Sequence, residues 1–416
     1  MIGGLRSTSV ALLLLGCNVT PARVTGGVDL PERGDCPRGT AVVSSDFQSS
    51  EVALLAPNGD VASPAFMSSA STAATNLAAP FSGDLSIASA RSRPGELVVI
   101  DRFGTNVLTF VDTRTAVVRA QLPVGTGFEA NPQDYLEVSE RSAFVPRLSE
   151  NATPGREPND GGSDLLLVDP SVPEIVGSLA MPHRAGYRPN PIGVTLLPGS
   201  GDVLVTLQHA RADYSGMAES ELVAVTIAEP HVDYRMPLTG MKNCGRAELS
   251  PSRARLLVAC ASFIDRQGAV AEPQFSGLVL LDAHSQPPSE LARFSAQDLV
   301  GGPIQSSIEF VDERLVLLKT QTALGVDHDN QLFSLNLETG ETALLATAAR
   351  DEGGLGFGIA FGGMSCASGC GDPCLVADKS RGKLLRFELR GNAVSPAPDV
   401  EISGAGLPPT SVTPFW

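Results

Sequence analysis

The feature that most constrains this chain is a long-period repeat of short apolar strands. From about residue 40 onward, runs rich in Leu and β-branched residues alternate with turns rich in Gly, Pro, Asn and Ser, and no segment keeps a helical period of about 3.6 residues. Equivalent strands recur at intervals of 46 to 60 residues, beginning near Ala41, Leu97, Ala143, Val203, Leu256, Leu315 and Leu375. Each interval has room for four short strands, and the third often ends in Asp.

Seven such units predict an all-β, seven-bladed β-propeller over residues 39–416, forming a single domain. The first unit lacks an obvious first strand, whereas residues 407–415 resemble the starts of the other inner strands. We therefore expect the C-terminal segment to join the N-terminal blade and close the ring, which leaves no open sheet edge. The alternative is a frayed tail.

Two units carry a more specific pattern. Residues 106–115 read Asn-Val-Leu-Thr-Phe-Val-Asp-Thr-Arg-Thr, and a strand, Val124-Gly125 and Asn131-Pro132 follow. Residues 165–169, Ile175-Val-Gly and Asn190-Pro191 repeat this order. The pattern resembles the Tyr-Val-Thr-Asn (YVTN) type of propeller repeat. The resemblance implies the propeller fold but little about function, because the fold hosts many activities.

The N-terminus has the form of a processing signal. Arg6 precedes a short apolar run, Val10–Leu15, which is too short to span a membrane as a helix. The run ends in Leu-Leu-Gly-Cys17, which resembles the lipobox of bacterial lipoproteins. This resemblance implies a signal peptide over 1–16, lipidation of Cys17, a flexible tether over 17–38, and anchoring in the cell envelope, at the outer membrane or cell surface. The alternative is an ordinary signal peptide with an incidental cysteine.

Six cysteines remain when Cys17 is set aside, an even number that favours disulfides in an exported chain. Cys244 and Cys260 flank a predicted hairpin, so we expect a cross-strand disulfide between them. The other candidates are one early and three clustered cysteines: Cys36, Cys366, Cys370 and Cys374. Two members of the cluster can pair locally while the third reaches Cys36. The alternative is a zinc site, but this spacing without a nearby His fits zinc knuckles badly.

The loops between second and third strands differ greatly in length. They are short in units one, two and seven and long in units three to six, at 147–163, 208–220, 262–276 and 321–330. In a propeller these loops share one face, and long loops on a rigid scaffold usually carry recognition. The alternative is tolerated insertions. We call the polar residues of these loops that could contact a ligand the rim residues. They are Arg156, Asp160, His209, Arg211, Asp213, Tyr214, Arg266, Asp327, His328 and Asp329.

The central tunnel should be lined by the first strands. Their charged candidates are Asp134, Arg246, Glu248 and Glu309. The sequence contains no paired-His zinc motif, nucleophile elbow, phosphate loop or haem motif. We therefore assign no catalytic residue, metal or cofactor. Related propellers include lactonases and dehydrogenases, but the metal-holding or cofactor-holding residues of those enzymes find no match here.

The net charge of −16 argues against a nucleic-acid partner, because such binding requires a basic face. We expect a monomeric, membrane-anchored module of the cell envelope that binds a protein or polysaccharide, or acts as a scaffold, without catalysis. The alternative is a propeller enzyme, a lactonase-like hydrolase or an oxidoreductase, with its site at the tunnel mouth.

Overall fold

The computed structural model describes residues 27–71, 76–89, 93–265, 270–321, 329–349, 359–402 and 406–416. Within these ranges, the strands form seven four-stranded antiparallel sheets. The sheets are the blades of a β-propeller, and the predicted fold class is confirmed. None of the helical segments in these ranges has the length and apolar character needed to cross a bilayer.

The strands follow the predicted order in each blade. The first blade contains β1 (Gly39–Ser45), β2 (Ser50–Leu55), β3 (Val61–Ser68) and, innermost, β28 (Pro409–Phe415). The second contains β4 (Leu85–Ile87), β5 (Glu96–Asp101), β6 (Val107–Asp112) and β7 (Val118–Pro123). The third contains β8 (Leu136–Ser139), β9 (Ser142–Pro146), β10 (Asp164–Asp169) and β11 (Glu174–Ala180). The fourth contains β12 (Pro191–Leu196), β13 (Val203–Leu207), β14 (Glu219–Val225) and β15 (Val232–Lys242).

The remaining three blades are built in the same way. The fifth contains β16 (Glu248–Leu249), β17 (Arg255–Cys260), β18 (Gly277–Asp282) and β19 (Ser289–Ser295). The sixth contains β20 (Ile304–Phe310), β21 (Leu315–Thr320), β22 (Asn330–Asn336) and β23 (Thr342–Ala348). The seventh contains β24 (Phe361–Ser365), β25 (Cys374–Asp378), β26 (Lys383–Arg390) and β27 (Ala393–Val400). A short helix, α1 (Ala296–Val300), connects the fifth and sixth blades.

The hydrophobic core lies between adjacent blades. Successive residues of a strand point to opposite faces of its sheet, so Val42 packs toward the seventh blade and Val43 toward the second. Among the described residues, each of the seven blade interfaces has its own apolar cluster. Inner strands are buried on both faces and therefore read as continuous apolar runs. The outermost β11 instead alternates between exposed and half-buried residues.

The ring is closed by the C-terminal strand, as predicted. β28 pairs antiparallel with β1, with Val412 opposite Val42 and Phe415 opposite Gly39. The chain termini thus share one blade, and hydrogen bonds between its strands hold the ring shut.

Three disulfides confirm the expected pairings. Cys244–Cys260 joins the segment preceding β16 to the end of β17, across the predicted hairpin. Cys366, which follows β24, bonds to Cys374, the first residue of β25, and so closes the connection between these strands. Cys370, at the centre of that connection, bonds to Cys36, which lies 334 residues earlier.

Residues 27–38, expected to belong to a flexible tether, instead form an arm packed on the ring. The Val28 N–H donates to the Thr113 carbonyl at 2.7 Å. Arg33 donates two hydrogen bonds to Asp372, at 2.5 and 2.9 Å. Leu30 packs on the apolar cluster between the first two blades. Residues 27–38 are therefore not a free tether, and the predicted signal peptide, Cys17 and residues 18–26 lie outside the described residues.

The ring has two unlike faces. We call the face formed by the second-to-third-strand loops the loop face. The opposite face, formed by the turns after first strands and after third strands, is the turn face. The arm and the Cys366–Cys374 connection both lie on the turn face, because Thr113 follows a third strand and residues 366–373 follow a first strand.

Candidate functional site

The loop face has the predicted asymmetry in loop length. Second-to-third loops are short in the first, second and seventh blades, at 46–49, 102–106 and 379–382. They are long in the third to sixth blades, at 147–163, 208–218, 261–276 and 321–329. Three predicted rim residues, Arg266, Asp327 and His328, lie outside the described residues. Asp329 is described and is exposed.

Two asparagines join neighbouring long loops into one surface. The Asn190 side chain donates to the Leu148 carbonyl in one loop and accepts from the Ala210 N–H in the next, at 3.1 and 3.0 Å. Asn243 repeats this arrangement one blade further, donating to Ser262 and accepting from Gln208. Both asparagines have positive φ, a conformation that Asn tolerates better than most residues. Adjacent loops are thus fixed relative to one another.

Arg147 fixes the loop of the third blade from within. Its side chain is fully buried and forms a bidentate pair with Asp164, at 2.8 and 2.6 Å. Its remaining N–H groups donate to the carbonyls of Val124 and Asn159 and to the Thr126 hydroxyl. All five guanidinium donors are therefore used.

Asp160, a predicted rim residue, lies inside its own loop and is only 6% exposed. It accepts N–H groups from Gly155, Glu157 and Arg156 at 2.8 to 3.1 Å. These bonds lower the pKa of Asp160. The carboxylate shapes the loop and does not face a partner.

His209 was also expected on the rim, but it is fully buried. Its Nε2 lies 3.1 Å from Glu221, which also accepts two hydrogen bonds from Arg235 at 3.0 and 2.7 Å. Burial alone would raise the pKa of Glu221, but its bonds to His209 and Arg235 lower it to about 2. Burial lowers the pKa of His209. The neutral imidazole therefore donates from Nε2 to the carboxylate and anchors the base of its loop.

Other rim residues do reach solvent. Arg156, Arg211 and Asp213 are exposed, and Tyr214 is 46% exposed. The Arg211 guanidinium stacks 5.4 Å from the ring centroid of Tyr187, in the connection between the third and fourth blades. Arg and Tyr, together with Trp, are the side chains enriched at the energetic centres of protein interfaces.

In the part of the chain that the structure describes, the exposed aromatic side chains lie on the loop face. Among the described residues, the large exposed apolar side chains that are aromatic are Phe47, Phe103 and Tyr214, at 42, 64 and 46% exposure. Each belongs to a second-to-third loop. Phe47 and Tyr214 also have positive φ, an uncommon conformation for aromatic residues that costs backbone energy. The two phenylalanines lie in short loops, whereas the sequence predicts recognition by the long loops only.

The predicted tunnel residues lie close enough to influence one another. Asp134 accepts hydrogen bonds from the Ser89 hydroxyl at 2.7 and 2.6 Å, and from the Val194 N–H at 3.5 Å. These partners belong to the second and fourth blades, so Asp134, which lies just before β8 of the third blade, connects three neighbouring blades. Arg246 forms an ion pair with Glu248 of the same blade. Its charge also acts on Asp134 and Glu309.

Burial and neighbouring charges shift the pKa values of several side chains around the tunnel. Burial raises the pKa of Glu248, and it raises the pKa of Glu309 well above its usual value, with repulsion from Glu248 adding to the effect. Lys319, which is not among the tunnel residues predicted from the sequence, is 1% exposed and donates to the Gly362 carbonyl. Burial lowers the pKa of Lys319 to about 7. The sequence feature that could have identified Lys319 is a single lysine within an apolar run, Leu-Val-Leu-Leu-Lys-Thr.

A cavity of about 250 Å³ occupies the turn-face mouth of the tunnel. Its wall includes residues from five blades, which places it on the axis. They are Ser89, Arg246, Glu248, Glu309, Cys366 and Trp416. A larger groove of about 800 Å³ runs between the arm and the seventh blade, but two of its charged residues, Arg33 and Asp372, bind each other. Among the described residues, no group of three or more His, Cys, Asp and Glu side chains could hold a metal.

Comparisons with known proteins identify the fold only. No protein-family model matches the chain, and no curated protein matches it. A putative 6-phosphogluconolactonase from Bacteroides uniformis is similar in structure, with a TM-score of 0.58 and 10% identity, covering 90% of this chain and 98% of that one. A protein from Lactobacillus plantarum gives 0.57 and 8% identity, with 90% and 98% covered. KlAtg21, in complex with the coiled coil of AgAtg16, gives 0.51 and 10% identity, with 91% and 100% covered.

Proposed function

We propose that this chain is a non-catalytic binding module of the cell envelope, at the outer membrane or cell surface. A lipid on Cys17 anchors it, and a protein or polysaccharide partner binds to the loop face. The observation that carries the proposal is that the exposed aromatic side chains among the described residues, Phe47, Phe103 and Tyr214, all lie on that face. Aromatic anchors beside arginines, on loops fixed by buried polar groups, are what specific interfaces use.

The course of the arm supports this arrangement. Gly27 lies against the backbone of Arg114 and Thr115, in a turn after a third strand. The chain therefore enters the ring on the turn face, at the second blade. An anchor attached before residue 27 holds this face toward the membrane and leaves the loop face directed toward partners.

The proposal is tested by crosslinking capture from envelope extract with the full lipoprotein as bait. We expect the triple variant Phe47→Ser, Phe103→Ser and Tyr214→Ser to lose the partner while keeping the melting temperature. The matched control replaces Val117 and Val172, exposed apolar residues in turns of the opposite face, by Ser. Capture that survives the triple variant, or that the control also abolishes, contradicts the proposal.

The anchor is tested separately by metabolic labelling with a radioactive fatty acid. We expect the wild type to carry the label and to partition into the membrane fraction. Cys17→Ser should remove the label and release the protein. A label that persists in Cys17→Ser would place the lipid elsewhere.

One observation favours a second candidate, an enzyme at the tunnel mouth. Glu248 and Glu309 share this tunnel-mouth cavity with Arg246, and burial raises the pKa of Glu309 well above its usual value. A carboxyl group with a raised pKa is suited to act as a general acid. The neighbouring lactonase-like structure shares the fold alone. Hydrolysis of a simple lactone or ester by the wild type, lost in Glu309→Gln, would support this candidate. Equal rates in both proteins would count against it.

A further inference from the structure

Two of the three exposed aromatic side chains lie in neighbouring loops of the loop face. Phe47 belongs to the loop of the first blade at 46–49, and Phe103 belongs to the loop of the second blade at 102–106. They are 42 and 64% exposed, and Phe103 is the most exposed of the large apolar side chains that the structure describes. Tyr214 belongs to the fourth blade, two blades further on. The two phenylalanines therefore form a subsite of their own.

One short segment, 82–84, holds the two loops side by side. Phe47 forms a β-bridge with Gly83, and a Cβ atom on Gly83 would lie 2.1 Å from the Phe47 carbonyl carbon. On the other side of the segment, the Arg102 N–H donates to the Asp84 carbonyl at 3.0 Å, and the two side chains form an ion pair. Both loops thus flank the same strip of backbone, and one partner segment can contact both phenylalanines.

Phe47 is exposed in a conformation that costs backbone energy. Its φ of +66° lies in the left-handed region, which Gly adopts without this cost. The Asp46 carboxylate accepts the Gln48 and Ser49 N–H groups at 2.9 and 2.7 Å. The Ser45 hydroxyl accepts the Phe47 N–H at 2.9 Å. None of these bonds that shape the turn uses the Phe47 side chain, and residues in such costly conformations cluster at functional sites.

The charge around the two phenylalanines is negative. We call residues 46–49, 82–84, 102–106 and 129 the phenylalanine patch. Its charged side chains are one basic and three acidic, Arg102 against Asp46, Asp84 and Glu129. Arg102 is paired with Asp84, whereas Asp46 and Glu129 are exposed. Glu129 accepts the Gly104 N–H at 3.2 Å, which holds its carboxylate beside the loop of the second blade. The patch therefore presents two exposed carboxylates to a partner.

The neighbouring blades do not offset this charge. The loop of the third blade, 147–163, has one exposed arginine and one exposed glutamate. In the seventh blade, Arg381 donates to the Thr347 carbonyl of the sixth blade at 3.0 Å. Burial lowers the pKa of Lys319 in the sixth blade, and repulsion from Lys379 adds to this effect. Both basic side chains of the seventh blade thus act toward the sixth, away from the patch.

We propose that the phenylalanine patch binds a polypeptide segment of the partner in which apolar side chains stand beside Lys or Arg. The proposal rests on the function proposed above and names the partner's chemistry. The apolar side chains pack on Phe47 and Phe103, and the cations approach Asp46 and Glu129. Anchors of this kind, with charges that complement the partner, give protein interfaces their affinity and specificity.

Other occupants match the patch less well. A bilayer surface carries anionic headgroups, which exposed carboxylates repel. A neutral polysaccharide can stack on aromatic rings but brings no cation to Asp46 and Glu129, and an acidic polysaccharide is repelled by them.

The test titrates the full chain with short fluorescent peptides and follows their anisotropy. One peptide alternates Lys with Leu and Phe, a second has Glu in place of Lys, and a third has Ser in place of Leu and Phe. Labelled dextran and chitosan oligomers represent neutral and cationic polysaccharides. We expect saturable binding of the first peptide, about tenfold or more tighter than the other probes. Equal binding of the second or third peptide, no saturable binding of any peptide, or tighter binding of either oligosaccharide overturns the proposal.

Two double variants assign the binding to the patch. Phe47→Gly with Phe103→Ser should weaken it about tenfold or more without lowering the melting temperature, since Gly suits the backbone at position 47. The control, Val117→Ser with Val172→Ser, removes exposed apolar groups from the turn face and should bind as wild type. Unchanged affinity in the first double variant, or equal losses in both, refutes the assignment.

The charges are tested by Asp46→Asn with Glu129→Gln, which keep the side-chain shapes. We expect about two- to fivefold weaker peptide binding at low salt and a smaller difference at about 0.5 M salt. Glu338→Gln with Glu341→Gln makes the same change in net charge at exposed positions of the turn face and should have no effect. Equal effects of the two pairs would show attraction to the acidic chain as a whole, and the proposal would be wrong.

Partner capture from envelope extract separates this proposal from the one on which it rests. Capture that Phe47→Gly with Phe103→Ser abolishes agrees with both. Capture that is lost only when Tyr214 is also replaced overturns the patch as the site and leaves the proposed function intact. Capture that survives all three substitutions contradicts the proposed function itself.

Discussion

Replacing Arg147 by Met should be among the most costly substitutions on the loop face. The guanidinium is fully buried and all five of its donors are bonded. Met keeps much of the volume but leaves the Asp164 carboxylate, whose side chain is 5% exposed, without its cation. Breaking a buried pair in this way costs about 3–5 kcal/mol.

The matched control is Arg141→Met. Arg141 also pairs with an aspartate of the same blade, Asp169, at 3.4 Å, but its side chain is 82% exposed. Exposed pairs contribute about 0–1 kcal/mol. Urea unfolding should therefore shift strongly for Arg147→Met and little for Arg141→Met.

Two further measurements examine the cause. Trypsin should cleave Arg147→Met after Arg156 faster than wild type, because the loop loses its internal anchor. The double variant Arg147→Met with Asp164→Leu should cost less than the sum of Arg147→Met and Asp164→Leu, since it leaves no unpaired buried charge. Additive costs, or equal effects of Arg147→Met and Arg141→Met, would refute the reasoning.

Three other predictions follow from contacts of the same kind. Replacing Cys36 and Cys370 by Ala should destabilise the fold by about 3 kcal/mol more than replacing Cys244 and Cys260 by Ala. The reason is that loop-closure entropy grows with the separation of the bonded cysteines, here 334 against 16 residues. Urea unfolding curves of the two double variants test this. The pKa of Glu221 falls from its ordinary 4.5 to about 2 on folding. About 3 kcal/mol of stability should therefore be lost as the pH drops from about 4.5 toward 2. Glu221→Gln should flatten that part of a plot of stability against pH. Asn190→Gly keeps the left-handed backbone but removes both side-chain bonds, so hydrogen exchange at Ala210 should accelerate while global stability changes by only about 1–2 kcal/mol.

The fold could be predicted from the sequence because burial between blades leaves a direct trace. Strands such as β5 and β17 are buried on both faces, so their apolar runs stand out against polar turns and reveal the period. The unequal loops follow from counting residues between those runs. Ring closure followed from a missing first strand at one end and a surplus strand at the other.

The chemistry of the faces was less predictable, because it depends on side-chain contacts that the strand pattern does not reveal. His209 is polar and lies in a long loop, so the sequence suggested that it is exposed. In the structure its imidazole is buried and bonds to Glu221 of the adjacent strand, whose carboxylate also binds Arg235. Phe47 lies in a loop of only four residues, and nothing in its neighbours signals that it faces solvent. Trp416 becomes a cavity wall only because β28 crosses to the first blade.

The position of the arm has a mechanical consequence for a tethered ring. If the chain is anchored before residue 27, a partner pulling on the loop face loads the arm first. Along the chain, the Arg33–Asp372 ion pair and the Cys36–Cys370 disulfide come before β1, so the force acts on these two links before it acts on β1. Both links transfer force to the seventh blade, so the hydrogen bonds between β1 and β28 do not carry it alone. Without the disulfide and the ion pair, such a pull would act directly on β1 and on its pairing with β28, the strand that closes the ring.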